Sequence, residues 1–167
     1  LRRLGGILRV RRGWNTKRNK GHTNCVIQGG GLYLGTARGC VIARNSCVSV
    51  DGGAAASLSL IENSVIVGNT ATVGGGVSYS TIWNSIVYYN TSSFMDDNIA
   101  GYGSTVHYCC TIPDPGGVGN IVAAPAFVDY AHGDYRLSST SPCIDAGLDQ
   151  PWMAAAVDLD GAPRIQD

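Results

Sequence analysis

The chain has 167 residues, 14% of them charged, 44% hydrophobic and 23 of them glycine. That length fits one domain, and that hydrophobic content excludes a disordered chain. No apolar run approaches the roughly 18 residues a membrane span needs.

A net charge of zero hides an asymmetry. Residues 1–50 hold ten of the twelve basic residues and no acid, and the first twenty carry eight positive charges. Such an arm would suit nucleic acid or an acidic polysaccharide. It shows no repeat, no aromatic beyond Trp14 and no amphipathic register, so it reads as an irregular or non-native leader over residues 1–21. Leu4 to Val10 is too short, and too broken by Arg9, to be a signal-peptide core. A secretion signal would lie upstream.

Asn24-Cys25-Val26-Ile27-Gln28 reads as a partial first coil, short of a full turn. From there one phrase recurs: Gly39-Cys40-Val41-Ile42-Ala43-Arg44-Asn45, then Asn63-Ser64-Val65-Ile66-Val67-Gly68-Asn69, then Asn84-Ser85-Ile86-Val87-Tyr88-Tyr89-Asn90. A fainter copy is Tyr108-Cys109-Cys110-Thr111-Ile112, and glycine clusters separate the copies. The second residues (Cys40, Ser64, Ser85 and Cys109) are 24, 21 and 24 apart. Helical repeats are longer and use other residues, so the unit predicts an all-β parallel β-helix over residues 22–112, with two or three strands per coil. Val41, Val65 and Ile86 are expected to stack as an interior column, with the Cys40 column facing the opposite way. Asn45, Asn69 and Asn90 keep one register and are expected to form a ladder. Asn tolerates the left-handed backbone region, and its amide donates to one copy while accepting from another.

Ala54 to Leu60 and Val77 to Trp83 read as second strands of their coils, and Thr91 to Asn98 as an inserted loop projecting from one coil. Polysaccharide lyases and glycosidases use this architecture, the second class needing carboxylates about 5 to 10 Å apart. Asp96 and Asp97 are the acid pair near the solenoid, with His107, Arg38 and Arg44 as companions. They are the catalytic candidates, weighed against an ordinary solvated loop. Tyr79, Trp83, Tyr88 and Tyr89 are candidates for a sugar-stacking strip, half of them expected to pack inward.

Pro113-Asp114-Pro115 ends the strands, and residues 113–167 read as a turn-rich cap over the C-terminal end. The opposite end is left to the leader, which exposes the first coil to fraying or self-association. Six cysteines suit either disulfides or small interior residues. Cys110 with Cys143 is the bridge to test first, because it would tie the tail to the last coil. Asp158-x-Asp160-Gly161 looks like the start of a calcium loop without its remaining ligands, and turn chemistry explains it equally well. The histidines have no second ligand at metal spacing.

The tail phrases Pro125-Ala126-Phe127-Val128-Asp129, Gly133-Asp134-Tyr135-Arg136-Leu137, Ser141-Pro142-Cys143-Ile144-Asp145-Ala146-Gly147 and Asp158-Leu159-Asp160-Gly161 with Pro163-Arg164 follow in order. With the coils before them, they resemble right-handed parallel β-helix proteins carrying a choice-of-anchor Q type C-terminal segment, over roughly residues 22–165. The resemblance implies bacterial export to the surface or medium and adhesin-like character, and it implies no single activity. That family's tail runs past the Pro-Arg phrase to a last short strand, whereas this chain stops at Asp167. The expected function is a secreted or surface module binding polysaccharide or cell-surface glycan without catalysis. The alternative is a pectate-lyase-like lyase or glycoside hydrolase on the same scaffold. Nucleic-acid binding through the leader ranks last, and no cofactor is implied beyond a weak case for calcium.

Overall fold

A computed structural model describes residues 30–48, 55–100, 103–156 and 163. The leader, Cys25 and its phrase, Asp51, Asp158 and Asp160 lie outside the described residues.

The chain winds as a parallel β-solenoid of about three turns. Each full coil has four short strands, not two or three. The first coil holds β1 (Leu32–Tyr33), β2 (Thr36–Arg38), β3 (Val41–Ala43) and β4 (Ser46–Cys47). The second holds β5 (Ala56–Ser57), β6 (Leu60–Glu62), β7 (Val65–Val67) and β8 (Thr70–Val73). In the third are β9 (Val77–Ser78), β10 (Thr81–Trp83), β11 (Ile86–Tyr88) and β12 (Thr91–Met95), and a partial fourth has β13 (Thr105–His107) and β14 (Cys110–Thr111). Stacking gives four parallel sheets, hence four sides: β1-β5-β9, β2-β6-β10-β13, β3-β7-β11-β14 and β4-β8-β12.

The corners explain why two expected strands divide. Leu34, Gly39 and Arg44 take φ of 49°, 63° and 60°, and Leu58, Asn63 and Gly68 take 51°, 47° and 63°. Tyr79, Asn84 and Tyr89 repeat the pattern at 46°, 49° and 55°. A left-handed residue every fifth position breaks the extended run, so residues 54–60 split at Leu58 and residues 77–83 at Tyr79. Such a conformation costs a non-glycine residue about 1–2 kcal/mol. Corner amides offset this by donating to the neighbouring coil, as Leu34 N does to Ser57 O, Asn63 N to Trp83 O and Asn84 N to His107 O.

Between corners, alternation sends the first and third residues of each five inward. The core contains Cys40, Ile42, Ile61, Ile66, Ile82, Val87 and Cys109. Val41, Val65 and Ile86 are in register, as expected for a column. They face outward, however, joining Val67, Tyr88, Phe127, Tyr135 and Leu137 in a separate buried cluster. The interior column on that side is Ile42, Ile66 and Val87, and the Cys40 column shares the interior with it. Both columns are aliphatic because a later segment covers the outer one.

Residues 91–98 form no projecting loop. Thr91–Met95 continues the fourth side as β12, with a register shift between Ser92 and Met95. Asn98 then joins the interior and Ile99 bridges to Val77.

The segment after Pro113 does two jobs. Residues 116–121 cover the end of the last coil: Tyr108 N donates to Val118 O, Thr111 N to Ile121 O and Cys109 N to Asn120 Oδ1. The remainder runs back along the outside as a strap instead of staying at the end. Its antiparallel hairpin, β15 (Phe127–Asp129) with β16 (Asp134–Leu137), packs on the third side. Tyr130 fills the notch over Gly68, where a Cβ would meet its hydroxyl at 3.2 Å. The 3-10 helix Pro151–Ala155 brings Met153 to Asn63, and Trp152 reaches Arg38 in the first coil.

Candidate functional site

Inside the solenoid the polar ladders are structural. Asn45 N and Nδ2 donate to Asn69 Oδ1 at 2.9 and 3.0 Å, and Asn69 N and Nδ2 donate to Asn90 Oδ1 at 3.0 and 2.8 Å. Asn98 adds a fourth rung, accepting from Asn90 N and Nδ2 at 3.1 Å. The residue in the left-handed region is the one before each of the first three: Arg44, Gly68 and Tyr89. Two serine ladders run beside them. Cys40 N donates to Ser64 Oγ and Ser64 N to Ser85 Oγ, while Ser59 N donates to Ser80 Oγ and Ser80 N to Ser104 Oγ. Buried amides and hydroxyls are thereby satisfied by the next coil.

The acidic candidates are placed apart from their companions. Asp97 Oδ1 accepts the Ser92 amide at 2.7 Å and Asp96 occupies a left-handed corner at φ 60°, both following the fourth side. His107 stands on the second side, where its Nδ1 accepts from Val118 N at 3.1 Å. Arg44 donates to Ala131 O at 3.3 Å and Arg38 pairs with Glu62. Among the described residues no group of three His, Cys, Asp or Glu is arranged to hold a metal ion.

The four aromatics of the expected strip do not share a face, and none packs into the solenoid interior. Tyr79 and Tyr89 are corner residues, Tyr88 lies under the strap, and Trp83 points out from the second side. Tyr89 instead meets Tyr130 at 4.7 Å between ring centroids, on the edge of the hairpin.

The second side is where chemistry-bearing groups converge. Its inward column Ala37–Ile61–Ile82–Val106 belongs to the core and sets the register. The next residue in each strand must then face out, which stacks Arg38, Glu62, Trp83 and His107 in one line. Rungs about 4.8 Å apart give that line a length of about 14 Å. Arg38 Nε donates to Glu62 Oε2 at 2.7 Å, its Nη2 pairs with the same oxygen, and the guanidinium lies 4.6 Å above the Trp152 ring. The pair leaves the Glu62 side chain only 10% exposed and Arg38 46% exposed. The Trp83 ring lies 4.6 Å from His107 and 6.1 Å from Tyr108.

No protein-family model, no curated protein and no solved structure matches the chain. What it can bind must be read from this line. Flanking it is an outer column of Thr36, Leu60, Thr81 and Thr105. On the other flank the strap is fixed by a reciprocal pair, Asn84 Nδ2 to Leu148 O at 2.7 Å and Leu148 N to Asn84 Oδ1 at 2.8 Å. The line and its flank thus offer an indole, an imidazole, a paired guanidinium and the hydroxyls of Thr36, Thr81 and Thr105 on one sheet. Sequence reasoning picked out Trp83 and His107 separately and missed Glu62 as their neighbour, although Arg38, Glu62, Trp83 and His107 share the 24-21-24 spacing.

Proposed function

We propose that the protein is an exported surface module that binds polysaccharide or cell-surface glycan along the second side and does no chemistry on it. The observation carrying this reading is the in-register line Arg38–Glu62–Trp83–His107. Aromatic faces take the apolar side of a sugar, and hydroxyl, guanidinium and imidazole groups take its oxygens. The repeated coil suits an extended ligand, because Arg38, Trp83 and His107 stand on rungs of one line at a fixed spacing. Export is supported by the tail phrases that resemble the choice-of-anchor Q type segment. Among the described residues, no helix is long and apolar enough to cross a membrane.

The test is a panel of neutral and acidic polysaccharides, with and without calcium, read by tryptophan fluorescence and by release of new reducing or unsaturated ends. Binding by at least one member without product is expected, and Trp83→Ala should weaken it at least tenfold. Release of product would assign catalysis instead. Binding that Trp83→Ala leaves unchanged would move the site elsewhere.

A further inference from the structure

We propose that Cys110 and Cys143 form a disulfide that latches the strap to the last coil of the solenoid. This is independent of the glycan reading. Both side chains sit in the cluster between the third side and the hairpin, 1% and 0% exposed. They are close enough to perturb each other's ionisation. The Cys110 thiol donates to Ala123 O at 3.1 Å.

Each partner is held by its own backbone. Cys110 is registered to Ile86 within the third side. Cys143 follows a turn in which Ser141 Oγ donates to Pro125 O at 2.5 Å and accepts from Cys143 N at 3.2 Å. Closing the bridge would thus join two segments that are each already held in place.

The geometry separates Cys110 from its neighbour. Cys109 points into the interior, 3.1 Å from His107 O and 3.6 Å from Ile82 O, and burial pushes its thiol up to about 12. Cys40 belongs to that same interior cluster, and Cys47 packs with Ala71 under the fourth side. Interaction between the two thiols lowers the Cys143 pKa against the opposing effect of burial, and raises that of Cys110 together with burial.

The chemistry needs a small-molecule disulfide as oxidant. The Cys143 thiolate attacks one sulfur of glutathione disulfide, forming a mixed disulfide and expelling one glutathione thiolate. Cys110 loses its proton and attacks the Cys143 sulfur, forming the protein S–S bond and expelling the second. The two protein thiols lose two electrons and two protons, and the oxidant becomes two molecules of glutathione. Both sulfurs are buried in the closed state, so the exchange takes place while the strap docks. The bond would close a loop spanning residue 110 to residue 143, adding a covalent tie to a strap that otherwise docks by packing and hydrogen bonds such as the Asn84–Leu148 pair.

The experiment refolds the full chain in a glutathione redox buffer, alkylates remaining thiols and maps peptides without reduction. The expected result is one dominant cross-linked pair containing Cys110 and Cys143, lighter by two hydrogens than the separate peptides. The thermal midpoint of the oxidised chain should lie roughly 5 °C or more above that of the reduced chain. Cys143→Ser should abolish both the cross-link and the difference in midpoint. Dominant linkage through any other cysteine would overturn the proposal, as would Cys110 and Cys143 both recovered alkylated after full oxidation. If Cys143→Ser fails to fold, the wild-type peptide map alone decides.

Discussion

Val65 and Ile66 are neighbours in β7, and both are fully buried, but by different parts of the chain. Ile66 lies between Ile42 and Val87, the equivalent residues of the coils before and after it. Val65 is covered from outside by the hairpin, in a cluster with Phe127, Tyr135 and Leu137. The inside is thus held by the same contact repeated from coil to coil, each coil completing its neighbour. The outer face is held by one docking event that has no counterpart among the described residues. Loss of an interior contact should spread to the adjoining coils, whereas loss of a strap contact should free the strap and leave the coils standing.

The largest effect is expected in the middle of the asparagine ladder. Asn69→Ala removes the acceptor for Asn45 N and Nδ2 and the donor to Ile42 O and Val67 O, all in the interior. With buried groups left unpaired at about 1–3 kcal/mol each, a loss of about 4–5 kcal/mol should be seen in urea denaturation. The same change at Asn45, the rung nearest the first coil's edge, should cost about half as much. Equal losses at the two rungs would contradict a ladder in which each rung serves the next.

Ile66→Ala should cost about 4 kcal/mol and Val65→Ala about 2 kcal/mol. A double-mutant cycle sharpens the contrast. Val65→Ala combined with Phe127→Ala should be non-additive by about 1 kcal/mol, while Ile66→Ala with Phe127→Ala should add. Coupling of Ile66 to the hairpin would mean that the inside and outside of β7 have been exchanged.

Tyr130→Ala should cost only about 1–2 kcal/mol, since one side of the ring is in water. Protease cleavage should speed up in residues 124–150 and not within residues 55–100. Cleavage rising equally in both regions would show that strap and coils open together.

The smallest effect concerns the hairpin surface, where the Arg136 guanidinium holds the Asp134 carboxyl below its ordinary range. A depressed folded-state pKa gives stability that is present above the unfolded value near 4 and is lost as pH falls through the folded value. Asp134→Asn should therefore matter fully above about pH 4, fade below it and vanish once the pH is under the folded value, with an effect under about 0.5 kcal/mol in a thermal melt. An effect that persists in strong acid would place its cause elsewhere.

These contrasts also mark what could be read from the residues alone. The register was legible because Cys40, Ser64, Ser85 and Cys109 are spaced like the coils they belong to. Which way each strand faces was not, because Val-Ile at residues 65–66 is aliphatic on both sides. The cover that makes Val65 apolar lies some sixty residues downstream and follows no repeat. Ser59, Ser80 and Ser104 carry the same 21 and 24 spacings as the recognised phrase, and only their ordinary identity hid them. The bulge in β12 read as a departure from the pattern because its extra residues postpone Asn98, the last rung. On the second side the opposite difficulty holds, since Arg38, Glu62, Trp83 and His107 occupy equivalent positions with four unlike side chains. Similarity of residue type exposes a ladder and conceals a binding line.

Solution NMR of the isotopically labelled chain can decide whether like strands of successive coils run side by side in the same direction. The parallel solenoid predicts through-space contacts from the Val65 backbone protons to those of both Val41 and Ile86, and from Ile86 onward to Cys110. Contacts of antiparallel type across residues 41–88, or the short-range pattern of a helix there, would contradict it.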